Sequence, residues 1–362
     1  MSSTIFFTHE NLYISPMKIT PIPYLQLQHP TPPESKHTGM SPLNIKEGFV
    51  VFRISGPLPS HHTYGLLAYV FPTNPQSIRP HEQVLSKRLI EKKHEVLSAK
   101  MRNKPVALLY HSRDELTRLL VEGFYSGDRI ATWTIDEHEY AYVVNAHPDW
   151  NREIAIALEK LDALVIADGH HRTYIYFERF YNQKKDYGLF SAIMPLEQIR
   201  IFAYHRVLLL DSELGVEFIH DLSKKYKMYD IGEQGGNIPE SDGESLLFLH
   251  QKKWKKLIPI HDAHIPRPGS PDLLTQFESA TLIPFCNIRD LNISEHWLYI
   301  SALELPSTVE RISDEEMVFV FPPVEPIFLW DSSIRGEVMP AKSTWIEPRM
   351  PSDLILVPNN YE

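Results

Sequence analysis

Two histidines, an aspartate and an arginine fall within five residues, Asp168-Gly169-His170-His171-Arg172. The apolar run from Ala163 to Ala167 precedes them and reads as a buried strand. Tyr174, Phe177 and Phe180 follow at helical spacing. The polar group therefore belongs on a tight strand-to-helix turn. A helix start presents unpaired N–H groups and the positive end of the helix dipole, and phosphate binds there. Gly169 lets the backbone approach a ligand without a Cβ. Arg172 can fork onto phosphate oxygens, and His170 and His171 can donate to phosphate or carry a proton near neutral pH. Asp168 can hold Mg²⁺ or take a proton from a substrate hydroxyl. A plainer reading has Asp168 as a helix N-cap and Arg172 in a surface pair. The adjacent histidines diverge and do not make a metal site by themselves.

The surrounding chain has to position this turn. Phe49 to Ile54 and Tyr64 to Phe71 read as strands, with Gly56-Pro57 closing the first. Pro80 to Arg102 reads as a long helix, with Pro80 in its first turn and Leu85, Leu89, Ile90, Val96 and Leu97 as its apolar stripe. Lys87, Arg88, Lys92 and Lys93 fill its other side, either as a solvated face or as one directed at a phosphate-bearing ligand. Val106 to Tyr110 is a strand, Asp114 to Gly123 a helix, Ile130 to Val144 a hairpin turning at Asp136 to Glu139, and Arg152 to Leu161 a helix. Leu189 to Met194 and Ile201 to Leu210 are strands. Residues 18–45 are Pro-rich and read as an extended, turn-filled arm. Residues 1–17 read as a flexible N-terminus and 18–210 as the domain carrying the turn. Residues 211–330 read as an accessory α/β region, and 331–362 as a segment that folds back towards the site.

The chain has 362 residues, 43% hydrophobic and 23% charged, which suits a folded protein of about two domains. Its 29 prolines and 15 glycines build turns on fixed φ more than on glycine. A net charge of −10 argues against an extended nucleic-acid surface but leaves room for one small basic pocket. The single Cys286 excludes an internal disulfide and a Cys-rich zinc site, and its apolar context reads as burial. No run of about 18 apolar residues suggests a membrane span. The N-terminus lacks the basic and apolar regions of a signal peptide, so a cytoplasmic setting is expected.

Ala167 to Arg172 resembles the signature of the domain-of-unknown-function family 1015. Two further blocks agree in order: Ile78-Arg79-Pro80-His81-Glu82 with Pro105 to Tyr110, and Gly336 to Thr344 with Ile346 to Pro348. Tyr204-His205-Arg206 resembles the strand that follows the signature. There are two departures. Pro23-Tyr24-Leu25 stands where that pattern has a Pro-Tyr-Asp-type segment, and Thr173 stands where it has an aromatic residue. The family is similar, more distantly, to the ParB and sulfiredoxin-like superfamily. Its free-serine kinase branch carries an Asp-Gly-His-x-Arg turn that Asp168, Gly169, His170 and Arg172 match.

The resemblance implies an α+β fold, a ParB/sulfiredoxin-like mixed-sheet core with a strand-turn-helix phosphate site and additional α/β elaboration. It implies nucleotide-dependent phosphotransfer to the hydroxyl of a small molecule, such as free L-serine, with Mg²⁺ and ATP, ADP or CTP. Asp168, His170 and Glu82 would be catalytic, with Asp168 also the metal ligand. Gly169, His170, His171, Arg172, Lys342 and Ser343 would hold the nucleotide phosphate. His81, His205 and Arg206 would meet the substrate. For His81 and Glu82 an exposed first helical turn is the plainer reading, and for Lys342 to Thr344 a turn or cap. The alternatives in function are a nucleotide-binding switch or hydrolase, and a non-enzymatic interaction module. Neither the acceptor nor the oligomeric state is written in the residues.

Overall fold

The computed structural model describes residues 17–28, 43–45, 48–56, 61–72, 74–183, 188–233, 238–260, 269–288 and 296–359. The flexible N-terminus expected over 1–17 lies, apart from Met17, outside them. The architecture is mixed α+β, built on two large sheets.

The first sheet is mixed. From one edge its order is Ile78–Arg79, Leu164–Asp168, Val106–Tyr110, Leu189–Pro195, His62–Phe71, Phe49–Ser55, His138–Asn145 and Asp128–Ile135, with Lys18–Thr20 paired to the end of His62–Phe71. Val106–Tyr110 and Leu189–Pro195 are buried at every position, which explains their continuous apolar sequence. Leu116, Leu120 and Phe124 of helix Asp114–Ser126 cover one face, together with Trp150 and Ile154 of helix Pro148–Glu159. Leu329, Met339, Ile346, Met350 and Ile355, far along the chain, cover the other.

Leu164–Asp168 runs parallel to Ile78–Arg79, with Leu164 opposite Ile78 and Val165 opposite Arg79. Both strands therefore deliver their next residues to the same end of the sheet. That register sets His81 and Glu82 beside the turn after Asp168.

The second sheet is antiparallel, in the order Tyr226–Glu233, Lys253–Pro259, Leu246–His250, Glu316–Val320, Arg200–Leu209 and Trp297–Ser301. Thr344–Glu347 pairs with the first half of Arg200–Leu209. Helix Ser212–Ser223 starts at Asp211, whose carboxylate accepts from the Leu214 N–H at 2.9 Å. Phe218, Phe277, Phe285 and Phe319 fill the core beneath, and Cys286 is buried among them.

Two local readings are corrected. The helix expected from Pro80 to Arg102 spans Ser86–Ser98. Residues 80–85 are not helical, because His81 and Gln83 exchange backbone hydrogen bonds with Met339. Met101–Arg102 pairs instead with strand Ile355–Pro358. The apolar stripe is also incompletely covered, since Ile90 and Leu97 are exposed. On the basic side of this helix, Lys93 is taken up by Glu178 at 2.5 Å.

Gly65 tests the sheet register. A Cβ added there would lie 2.7 Å from the Ile193 carbonyl oxygen. Gly65→Ala is expected to cost about 1–3 kcal/mol and lower the urea midpoint, as overpacking does. The Cβ would also press on the Phe52 ring, so an unchanged midpoint would contradict the pairing of His62–Phe71 with both Phe49–Ser55 and Leu189–Pro195.

Candidate active site

Helix His170–Gln183 begins one residue after the strand ends. The turn is possible because Gly169 adopts φ +101°, in the left-handed region. A Cβ would also press on Arg172, 2.9 Å from its Nη2. Thr173 is buried, and its hydroxyl donates to the Gly169 carbonyl at 3.1 Å. A small hydroxyl residue suits that place better than an aromatic ring.

Asp168 is surrounded by cations. Its Oδ2 lies 3.2 Å from both Lys104 Nζ and Arg172 Nη2, and its Oδ1 lies 3.1 Å from Arg349 Nη2. Burial alone would raise its pKa, but the Arg172, Lys104 and Arg349 charges outweigh burial and hold it far below the usual carboxylate range. Such a carboxylate takes no proton at neutral pH. Both its oxygens are also committed, and a Mg²⁺ ion there would face three positive charges. The residues around Asp168 do not fit Mg²⁺. The two chemical roles read for Asp168 are corrected accordingly: it positions its cations.

Arg172 is committed as well. Its Nη1 donates to the carbonyls of Lys104 (2.5 Å) and Pro105 (2.9 Å). It fastens the helix start to the loop before Val106–Tyr110, which leaves it no free fork for phosphate. His171 Nε2 accepts from the Leu85 N–H at 3.1 Å, so that ring nitrogen caps helix Ser86–Ser98.

Glu82 is the second carboxylate. Its Oε2 accepts from the Ser343 N–H at 3.2 Å, while its Oε1 accepts no hydrogen bond among the described residues. Burial pushes its pKa up to about 7, against the opposing pull of Lys342 and of the Ser343 amide. His81, buried beside it, donates from Nδ1 to the Ile166 carbonyl at 2.5 Å and accepts at Nε2 from the Thr344 hydroxyl at 2.7 Å. A carbonyl only accepts, so the proton sits on Nδ1. Burial lowers His81 to about 4, and the ring is neutral. His170 packs edge-on against His81 at 4.5 Å, with its Nδ1 3.7 Å from Glu82 Oε1. Burial holds His170 well below the ordinary histidine value.

The closing block folds onto this group. Lys342 adopts φ +59°, and its ammonium lies over the Tyr204 ring at 4.8 Å. The Ser343 hydroxyl donates to the Pro340 carbonyl at 2.5 Å, so its backbone N–H, not its side chain, serves the site. Arg206 is fully buried and stands behind the turn. It donates to the Lys342 carbonyl at 2.8 Å and to Glu278 at 2.7 and 2.9 Å, with Tyr299 against its guanidinium. His205 points to the opposite strand face and accepts from the Phe321 N–H at 3.2 Å. Neither residue is placed to meet a substrate. Arg206 positions the Lys342 turn, and His205 is a core residue.

The structure therefore brings together His81, Glu82, Asp168, Gly169, His170, Lys342 and Ser343. Lys104 and Arg349 were missed. Each is an isolated basic residue without a local motif; adjacency to Pro105 and Pro348, at the edges of the two flanking blocks, was the available signal. The Pro-Tyr-Asp position offers no acid, because Leu25 is fully buried in the first core.

The Arg206–Glu278 pair offers a test of how the Lys342 turn is held. Glu278→Ala leaves a buried guanidinium uncompensated, and a loss of about 3–5 kcal/mol is expected in chemical denaturation. The double change Arg206→Met with Glu278→Met should recover much of it. A single change without effect would show that the pair does not hold the turn.

No curated protein matches the chain. Among solved structures it is similar to a free serine kinase mutant in complex with AMP. The identity is 14% and the TM-score 0.42, covering 77% of this chain and 88% of that one. It is similar to a conserved hypothetical protein from Pyrococcus furiosus at 14% identity and a TM-score of 0.42, covering 78% and 92%. SbnI from Staphylococcus aureus, with a C-terminal truncation, is similar at 11% identity and a TM-score of 0.43, covering 78% and 84%. The family model for proteins of unknown function, DUF1015, matches residues 45–283, well over half of the chain, and the protein belongs to that family.

Proposed function

We propose that the protein is a nucleotide-dependent phosphotransferase acting on the hydroxyl of a small molecule, with free L-serine as the first acceptor to try. The observation that carries this reading is the charge at the turn. Lys104, Arg172, Lys342 and Arg349 gather around two carboxylates, Asp168 and Glu82, in a chain whose net charge is −10. The cluster adjoins a helix N-terminus whose first turn offers backbone N–H groups. Phosphoryl transfer asks mainly for positioning and for positive charge around the transferred group.

On this reading Lys104, Arg349 and Lys342 hold the nucleotide phosphates with the N–H groups after Gly169. Arg172 and Asp168 keep those cations in place. The acceptor hydroxyl lies against Glu82, whose Oε1 is uncommitted. The Asp-Gly-His-x-Arg match to the free-serine kinases supports the same assignment, with the first sheet in the part of their ParB and sulfiredoxin-like core. ATP, ADP and CTP remain the nucleotides to compare.

The test is a product assay with each nucleotide, a divalent cation and a panel of hydroxy amino acids and hydroxy metabolites, read by phosphorus NMR. A new phosphoester is expected. Glu82→Gln should lower its rate by about 10²–10⁴ while nucleotide binding persists. Arg349→Ala should weaken nucleotide binding by about 1.5–3 kcal/mol in calorimetry. Nucleotide hydrolysis without a phosphorylated acceptor would favour a hydrolase or switch, and failure to bind any nucleotide would end the reading.

A further inference from the structure

His170 presents a problem that the phosphotransfer reading does not solve. Its side chain is 5% exposed, its Nε2 is buried without a hydrogen-bond partner among the described residues, and its Nδ1 lies 3.7 Å from Glu82 Oε1, beyond hydrogen-bond distance. Burying an imidazole without a partner is costly, and such groups are uncommon. Its neighbours, His81 and Glu82, are of residue types that ligate metals. One ligand-capable atom each from His81, Glu82 and His170 can be chosen with all three within 4.8 Å of one another. His170 Nδ1 is 3.7 Å from Glu82 Oε1, and His81 Nε2 is 3.9 Å from Glu82 Oε2.

We propose that His81, Glu82 and His170 form a binding site for one divalent transition-metal ion. Two imidazoles and a carboxylate are the donor set of many zinc and ferrous sites, and they leave a position open for water or substrate. Tetrahedral ligands at ordinary bond lengths stand about 3.4 Å apart, so a modest contraction completes the set. Mg²⁺ prefers oxygen donors and is poorly served here.

The outer partners are already in place. The His81 Nδ1–H donates to the Ile166 carbonyl, which fixes the tautomer and leaves the Nε2 lone pair for an ion. The Thr344 hydroxyl now occupies that lone pair and would have to yield. The Ser343 N–H orients Glu82 from its other side. Lys342 opposes a cation in this place, and Asp168 favours one. The site goes beyond the phosphotransfer reading and does not depend on it. A bound ion would take up Glu82 Oε1 and would itself supply Lewis-acid activation to the hydroxyl that otherwise lies against that oxygen.

The full chain, stripped with a chelator, is titrated with Co²⁺ by absorption spectroscopy and with Zn²⁺ by calorimetry, without nucleotide. One ion per chain is expected. Glu82→Ala and His170→Ala should lower affinity by more than the roughly 10–100-fold that losing an outer partner costs. Changing the exposed His94 to Ala should leave it unaltered. Thr344→Val removes the competing hydroxyl and should raise affinity about 2–10-fold, the equivalent of one net hydrogen bond. This last variant keeps the proposal testable if the ligand variants fail to fold. Absence of stoichiometric Co²⁺ and Zn²⁺ binding would overturn the site. So would unchanged affinity in Glu82→Ala and His170→Ala, or unchanged or weaker affinity in Thr344→Val. Nucleotide binding is measured separately, so either reading can fail alone.

Discussion

One carboxylate balances three cations at the strand-to-helix turn, and the site depends on that balance. Asp168 ends a strand, Arg172 lies in the first turn of the next helix, Lys104 precedes a neighbouring strand, and Arg349 arrives from the closing segment. Three like charges in a partly buried space repel one another strongly unless a counter-charge sits between them. Strand end, helix start and closing segment therefore share one geometry. The positive φ at Gly169 follows from it, because the turn must aim Arg172 back at the carboxylate and at the Lys104 and Pro105 carbonyls.

That arrangement divides the two carboxylates of the site. Asp168 lies in a field of positive charge and stays ionised, whereas Glu82 is buried with weaker compensation and is pushed the other way. Under the proposed phosphotransfer reading, opposed environments of this kind separate a charge that positions from a charge that reacts. The second sheet reinforces the division. Arg206, buried against Tyr299 and Glu278, fixes the carbonyls that shape the Lys342 turn, and that turn supplies the amide on Glu82.

The strand-turn-helix was legible because both of its signals are local: five apolar residues, then aromatic residues at helical spacing. The chemistry assigned to Asp168 and Arg172 was not, because their partners lie far away in sequence and leave no periodicity. Residues 80–85 were misread as helix for the same reason. Proline followed by spaced apolar residues looks helical, but hydrogen bonds to Met339 impose an extended path. The opposed directions of His205 and Arg206 are implicit in their adjacency, since neighbours on a strand point to opposite faces. The closeness of His81 to His170 rests on the parallel register of two strands, and composition does not reveal it.

The contacts that complete the site join positions 263, 261 and 181 residues apart along the chain. Closing such long loops is entropically unfavourable until the intervening sheets exist. The site is therefore complete only once both sheets and the closing segment are in place. A chain with its first sheet formed and its closing segment still loose would expose Asp168, Glu82 and His170 without their partners. Under the proposed function, competence to bind would report completion of the whole fold, and partly folded forms would be chemically silent.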